Sequence, residues 1–322
     1  MTGPARSAIV AGMEIVLPIV LPVFATIWLG WLIRRIGLVD SAFFSQSNSL
    51  VFYVCLPLLL VYKIGGADFA SSVNPSLVLG TGLAISICFA GAFLLGHLLG
   101  YPPAIHGAFS QGSFRGNLAY IGLAIIYNGF GDPGLARAGV LLGFLVPLLN
   151  IFAILALTLP NRKSVPPRAI LYQMIGNPLI LASLVGIAWS YLHVPMPLLV
   201  DRFLHIVTAM TLPLALLSIG GSFSLARLRG DTRTAALATA IKLGVQPLLA
   251  ASLLLLLGVH GMDLGIGLIM AGAPTAVTTY IMADQMGGDA PLAGSIVVMS
   301  TVLSLITYTL MLFCMQQNAL LQ

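Results

Sequence analysis

Two stretches place polar chemistry inside long apolar runs. The first reads "SQGSFRGNLAY" from Ser110 to Tyr120, and the second reads "AGAPTAVTTYIMAD" from Ala271 to Asp284. The first contributes Gln111, Arg115, Gly116 and Asn117; the second contributes Pro274, Thr275, Ala276, Thr278 and Thr279. Arg115 brings a full positive charge. Asn117 offers both a donor and an acceptor, which suits a carboxylate or a coupling ion. Pro274 lacks an N–H and clashes one turn back, so a helix running through it breaks and frees backbone groups. A half-helix that starts beyond such a break presents a partly positive N-terminus, which favours an anion. These nine residues form the expected substrate-binding set. Lys242 and Asp284 are the expected ion-coupling groups or charge partners.

The elements that must position them are membrane helices. The chain has 322 residues, of which 59% are hydrophobic and 7% charged, whereas soluble domains carry about 25% charged residues. That composition excludes an ordinary soluble fold and makes the chain a multi-pass, all-α membrane protein. Its net charge of +5 reports loop orientation and not nucleic-acid binding. Windows of about 20 apolar residues place ten spans at 11–36, 42–64, 76–99, 104–129, 134–159, 169–193, 197–222, 234–258, 263–287 and 291–315. The first, following Arg6, is too long for a cleaved leader and reads as a retained helix. Arg115 then lies roughly 16 Å into the fourth span at 1.5 Å per residue, near the midplane of a core about 30 Å thick. Cys55, Cys88 and Cys314 stand apart in apolar runs and predict neither a disulfide nor a metal site.

The halves of the chain echo each other. Pro57 and Pro213 stand 156 residues apart, as do Gly30 and Gly186; Tyr120 aligns with Tyr280, and "GDPGLA" from Gly131 with "GDAPLA" from Gly288. Matches in order at nearly one offset predict two five-helix repeats, 1–160 and 169–322, joined by a cytoplasmic linker at 161–168. Five is odd, so the repeats are inverted, as in many secondary transporters. The fourth and ninth spans are then mates. A packing kink explains one broken span, but a matched pair carrying Arg115 and Asn117 points to a transport site.

"GNLAYIGLAII", "GNPLILASLVGI", "LPLALLSIGGSF" and "APTAVTTYIMADQMGGD" together resemble the auxin efflux carrier family, and in particular its bacterial members similar to malonate and malate permeases. "LGWLIRRIGLVD" and "IKLGVQP" fit too, so the resemblance covers the whole chain. It implies an elevator carrier with the fold of bile-acid:sodium symporters. Spans one, two, six and seven would form the scaffold and a homodimer contact. Spans three to five and eight to ten would form the transport domain, with spans four and nine crossing at the site. Asn117 falls on the family's span-four asparagine and Pro274 on its crossover proline. Ala124 departs from a common family proline, and Asp284 stands where plant carriers tend to have a basic residue.

Charge asymmetry sets the expected orientation. Arg34, Arg35, Arg162, Lys163, Arg168, Arg227, Arg229 and Arg233 mark the cytoplasmic side, which leaves both termini outside a bacterial inner membrane. Lys242, about 12 Å into its span, either snorkels to the interface or pairs with substrate, Asp284 or backbone carbonyls. Asp284 is either interfacial or a proton-coupling acid. "GFGD" at Gly129–Asp132 and "GGSF" at Gly220–Phe223 match protease motifs by letters alone, and no second aspartate pairs with Asp132. The expected function is secondary transport of a small organic anion, a mono- or dicarboxylate, with membrane lipid as the surrounding partner. The expected cofactor set is empty, with H⁺ or Na⁺ as coupling ion. The alternatives are a neutral or amphipathic cargo, with Arg115 locked in an internal ion pair, and an intramembrane hydrolase.

Overall fold

The computed structural model describes residues 3–68, 73–161, 168, 175–222 and 231–317, with side chains from Gly12 onward. Residues 162–167 of the expected linker, the first residues of the span expected at 169–193, and Arg227 and Arg229 lie outside the described residues. Every described element is helical, and the one β-type pairing is an isolated bridge. The α-helices are α1 (Gly3–Arg35), α2 (Ser41–Leu50), α3 (Leu56–Gly65), α4 (Pro75–Leu98), α5 (Pro103–Phe114), α6 (Leu123–Thr158) and α7 (Pro178–Tyr191). They continue with α8 (Leu198–Ala209), α9 (Thr211–Ser222), α10 (Thr232–Ala240), α11 (Gln246–Leu256), α12 (Gly261–Ala271), α13 (Thr278–Met286) and α14 (Ala290–Gln317).

Among the described residues, seven helical runs are long and apolar enough to cross a bilayer, and α7 and α12 are shorter apolar helices. One of the seven, Leu118–Thr158, has 41 residues. At 1.5 Å per residue it would reach about 60 Å, twice the thickness of a hydrocarbon core. Gly131 resolves the excess: at φ 62° and ψ −153° it breaks the run in two, a conformation open to glycine because it has no Cβ.

Among the described residues, three π turns interrupt the helical ladder, at Val51–Cys55, Leu118–Gly122 and Ile241–Val245. The first and third run into Pro57 and Pro247. A proline donates no hydrogen bond to the preceding turn, and wide turns are where helices absorb such misfits.

Packing is closest where glycines remove side chains. Gly30 of α1 sits directly on the Leu217 carbonyl of α9, and Gly220 of α9 sits on the Ile27 carbonyl of α1. α3 packs on α7 in the same manner, with Gly186 against Ile64 and the Leu60 carbonyl. Thr211 Oγ1 donates to the Cys55 carbonyl at 3.3 Å and ties the two pairs together. Lipid tails provide no hydrophobic force between helices, so such small-residue contacts and interhelical hydrogen bonds carry the association. A second set of contacts joins α4, α5, α10, α11, α12 and α14, and α6 touches both sets. In the second set, Arg137 pairs with Asp263 at 2.7 Å, and Asn74 donates to the same carboxylate at 2.7 Å.

Candidate functional site

The two interrupted stretches meet. α5 stops at Phe114, and Arg115 (ψ 94°) and Asn117 (ψ 66°) leave the helical region before the chain rewinds at Leu118. α12 stops at Ala271, and helix resumes at Thr278. Between them Gly116 and Thr275 form an antiparallel bridge. Asn117 N–H donates to the Pro274 carbonyl at 2.7 Å, and Ala276 N–H donates to the Arg115 carbonyl at 2.9 Å. Each break therefore supplies the backbone partners that the other lost, as a buried chain requires. Gly116 permits this approach, because a Cβ there would stand 2.9 Å from Leu118 Cδ2 and 3.3 Å from the Ala273 carbonyl. Thr275 locks the crossing: its hydroxyl donates to the Gly112 carbonyl at 2.8 Å, and its N–H donates to Ser300 Oγ at 3.0 Å.

A cavity of about 570 Å³ opens beside the crossing, within the range typical of small-molecule sites. Arg115, Gly116, Asn117, Ala276 and Thr278 line it, together with α2, the end of α9 and the second part of α6. Arg34 and Arg115 are its charged lining residues, and among the described residues no carboxylate reaches it. Every partner of Arg115 among the described residues is neutral: Nε donates to Thr278 Oγ1 at 3.2 Å, Nη1 to the Leu149 carbonyl at 3.2 Å and Nη2 to Asn150 Oδ1 at 2.9 Å. The guanidinium is thereby held in one pose with its charge uncompensated. Asn117 is 9% exposed, and among the described residues its carboxamide makes no hydrogen bond, so it remains available to a ligand.

The other expected residues lie behind this wall. Pro274 and Thr275 build the crossing and do not line the cavity. Gln111 is fully buried, with Nε2 donating to Met282 Sδ at 3.4 Å and Oε1 unpartnered among the described residues; Thr279 Oγ1 is likewise buried without a partner there. Lys242 is fully buried and donates to the Ala271 carbonyl at 2.7 Å, capping the C-terminal end of α12, where helix carbonyls attract a cation. It neither snorkels to an interface nor pairs with Asp284, which is exposed in α13. The Cys88 thiol faces the Ser113 carbonyl at 3.5 Å near the end of α5. Asp132 pairs with Lys63 at 2.7 Å.

Sequence reasoning passes over Arg34, Asn48, Asn150 and Asn177, which also line the cavity. Asn150 is an isolated polar residue in the apolar run at 134–159, which is the signal that would have found it. Asn48 accepts from Tyr120 Oη at 2.9 Å and so joins α2 to the π turn beyond the break.

The membrane transport protein family matches residues 15–312. The chain belongs to this family, the auxin efflux carriers. An uncharacterized transporter of Methanothermobacter thermautotrophicus is 23% identical over 293 residues, 90% of this chain and 95% of the relative. A putative malonate transporter of Rhizobium meliloti is 23% identical over 311 residues, 94% and 96% of the two chains. Auxin efflux carrier component 6 of Arabidopsis thaliana is 26% identical over 139 residues, 41% of this chain and 24% of its own length. This auxin efflux carrier family member is thus a multi-pass membrane transporter.

Proposed function

We propose that the protein is a secondary transporter of a small organic anion carrying a carboxylate. The observation that carries this reading is the Arg115 guanidinium, held by neutral partners beside the Asn117 amide in a cavity that no carboxylate lines among the described residues. An internal carboxylate partner would have favoured a neutral cargo; the neutral partners favour an anionic one. Arg115 binds the carboxylate through its unused N–H groups, and Asn117, Thr278 and the backbone of Gly116 and Ala276 complete the contacts. A relative bearing the name of a malonate transporter points the same way.

In this reading the chain crosses the inner membrane ten times as two inverted five-helix repeats, with both termini outside. α1, α2, α3, α7, α8 and α9 form the scaffold, which also makes the contact of a homodimer. The remaining helices carry the crossing and slide past the scaffold as an elevator. The cavity reaches Arg34 at the end of α1, on the side marked cytoplasmic by its arginines, so the conformation is open to the inside. Lys242 and Asp284 are the candidates for coupling to H⁺ or Na⁺.

The test is uptake of a panel of carboxylates into proteoliposomes under imposed H⁺ or Na⁺ gradients. Hydrogen bonds to a charged group contribute about 1.5–3 kcal/mol, so Arg115→Gln should weaken substrate binding about 10- to 150-fold. Unchanged uptake by both Arg115→Gln and Asn117→Ala would refute the site.

A further inference from the structure

The side of the molecule away from Arg34 holds a second cavity, of about 290 Å³. α1, α3, α8 and α9 line it on one side, and the first part of α6, from Ala124 to Asn128, lines it on the other. The two cavities run end to end. Along the helical run that begins at Leu118, Tyr120 lines the first and Ala124 the second; along α9, Ser218 lines the first and Leu216 the second. Four residues of helix rise about 6 Å, so the wall between the cavities is about one turn thick. Polar contacts fix the outer rim of that wall. Asp132, next to the break at Gly131, pairs with Lys63 of α3 at 2.7 Å, and Asn128 Nδ2 donates to the Ile19 carbonyl of α1 at 3.2 Å. Both contacts pass from α6 to the scaffold helices. Neighbouring polar pairs stay within one set: Tyr62 Oη donates to Asp201 at 2.9 Å inside the scaffold, and Arg137 and Asn74 share Asp263 among the remaining helices. Asp132 is 60% and Lys63 17% exposed, and ion pairs of this exposed kind shift a two-state balance by about fivefold at most. A contact of that strength holds one position without making it permanent.

We propose that the Lys63–Asp132 pair, supported by Asn128 on the Ile19 carbonyl, is an outer latch that pins the break in α6 to the scaffold and holds the inward-open position. The inference rests on the division into scaffold and sliding helices made under the proposed function. Release of the latch frees α6 to move on α1 and α3, and the outer cavity then deepens through the one-turn wall toward the crossing.

The test is a cysteine reporter at the floor of the outer cavity. Ala124 is 3% exposed there. Ala124→Cys is made in a Cys314→Ser background, which removes the exposed native thiol, and the purified full-length protein is labelled with a polar maleimide. Leu216→Cys, on the scaffold face of the same cavity, serves as a second reporter. Asp132→Asn and Lys63→Gln should each speed labelling about two- to fivefold, while Tm stays within about 2 °C. Lys63→Asp sets two like charges together and should label fastest. Adding Asp132→Lys to it restores an opposite pair and should return the rate to within about twofold of the reporter alone. With the latch intact, about 1 M KCl should speed labelling, and the same salt should leave the rate in Asp132→Asn unchanged. Equal rates across the series overturn the inference, as does a charge exchange that labels as fast as Lys63→Asp, or a salt response that survives in Asp132→Asn. Uptake keeps the two readings apart. Carboxylate transport with an unresponsive reporter removes the latch alone, and a responsive reporter without transport of any carboxylate removes the anionic cargo alone.

Discussion

Thr275→Val tests whether the crossing is held by the contacts seen in the structure. Thr275 is 1% exposed, and its hydroxyl donates to the Gly112 carbonyl at 2.8 Å. Gly112 lies in the last turn of α5, where carbonyls have no helical partner. Valine keeps the side-chain shape but removes the donor. Interhelical hydrogen bonds in membrane proteins average about 0.6 kcal/mol, because a disrupted bundle finds other partners. Orphaning a buried carbonyl costs about 1–3 kcal/mol. The second figure is the better guide here. Gly112 is buried, and Ile296 packs so closely on it that a Cβ would stand 2.7 Å from Ile296 Cδ1. The expected loss is about 1.5 kcal/mol, or roughly 3–6 °C in Tm. Thermal unfolding in detergent, followed by loss of the monodisperse peak, measures it. Thr275→Ser retains the donor and should lose less than Thr275→Val. A valine variant melting within about 1 °C of the unmodified protein, or a serine variant melting below it, would refute the reasoning.

Gly30→Ala and Gly220→Ala push a methyl into backbone carbonyls of the facing helix and should abolish monodisperse protein, whereas Gly91→Ala, which meets nothing within 4 Å, should be neutral or stabilising by about 0.5–1 kcal/mol; size-exclusion yield and melting separate them. Lys242→Ala leaves a void and an uncapped Ala271 carbonyl and should cut the yield of folded protein, and Lys242→Met, which refills the volume, should recover part of it. Asp132 is 60% exposed in its pair with Lys63, so Asp132→Asn should cost no more than about 1 kcal/mol and less still at high salt. Tyr120→Phe removes the bond to Asn48 and should alter uptake rate while changing stability by about 1 kcal/mol or less in thermal melts.

Some of this architecture is legible before any coordinates. Gly112, Gly116, Gly272 and Pro274 interrupt apolar runs, so the sequence alone locates both breaks. It does not say what satisfies them. The Asn117 to Pro274 and Ala276 to Arg115 hydrogen bonds join backbone atoms, and backbone groups leave no mark in residue type. Arg34 shows the opposite failure. Arginine pairs at span ends are so well explained by orientation that a second use of one of them has no separate signal. Lys242 is visible as a buried charge, but its acceptor is a helix end, and only packing decides which carbonyl it finds. The apolar windows 104–129 and 134–159 place a loop between two spans within Leu118–Thr158; the structure turns it on the single residue Gly131.

The bridge at Gly116 and Thr275 also sets a schedule for synthesis. The first break leaves the ribosome about 160 residues ahead of Ala276, and chains grow at roughly 5–20 residues per second. For something like 8–30 s, the Arg115 carbonyl and the Asn117 N–H have emerged while their eventual partners have not been made. In hydrocarbon each would cost several kcal/mol. The nascent first half therefore has to keep this stretch in water or against another protein until the second half arrives, and a chain that terminates before residue 274 has no way to close it.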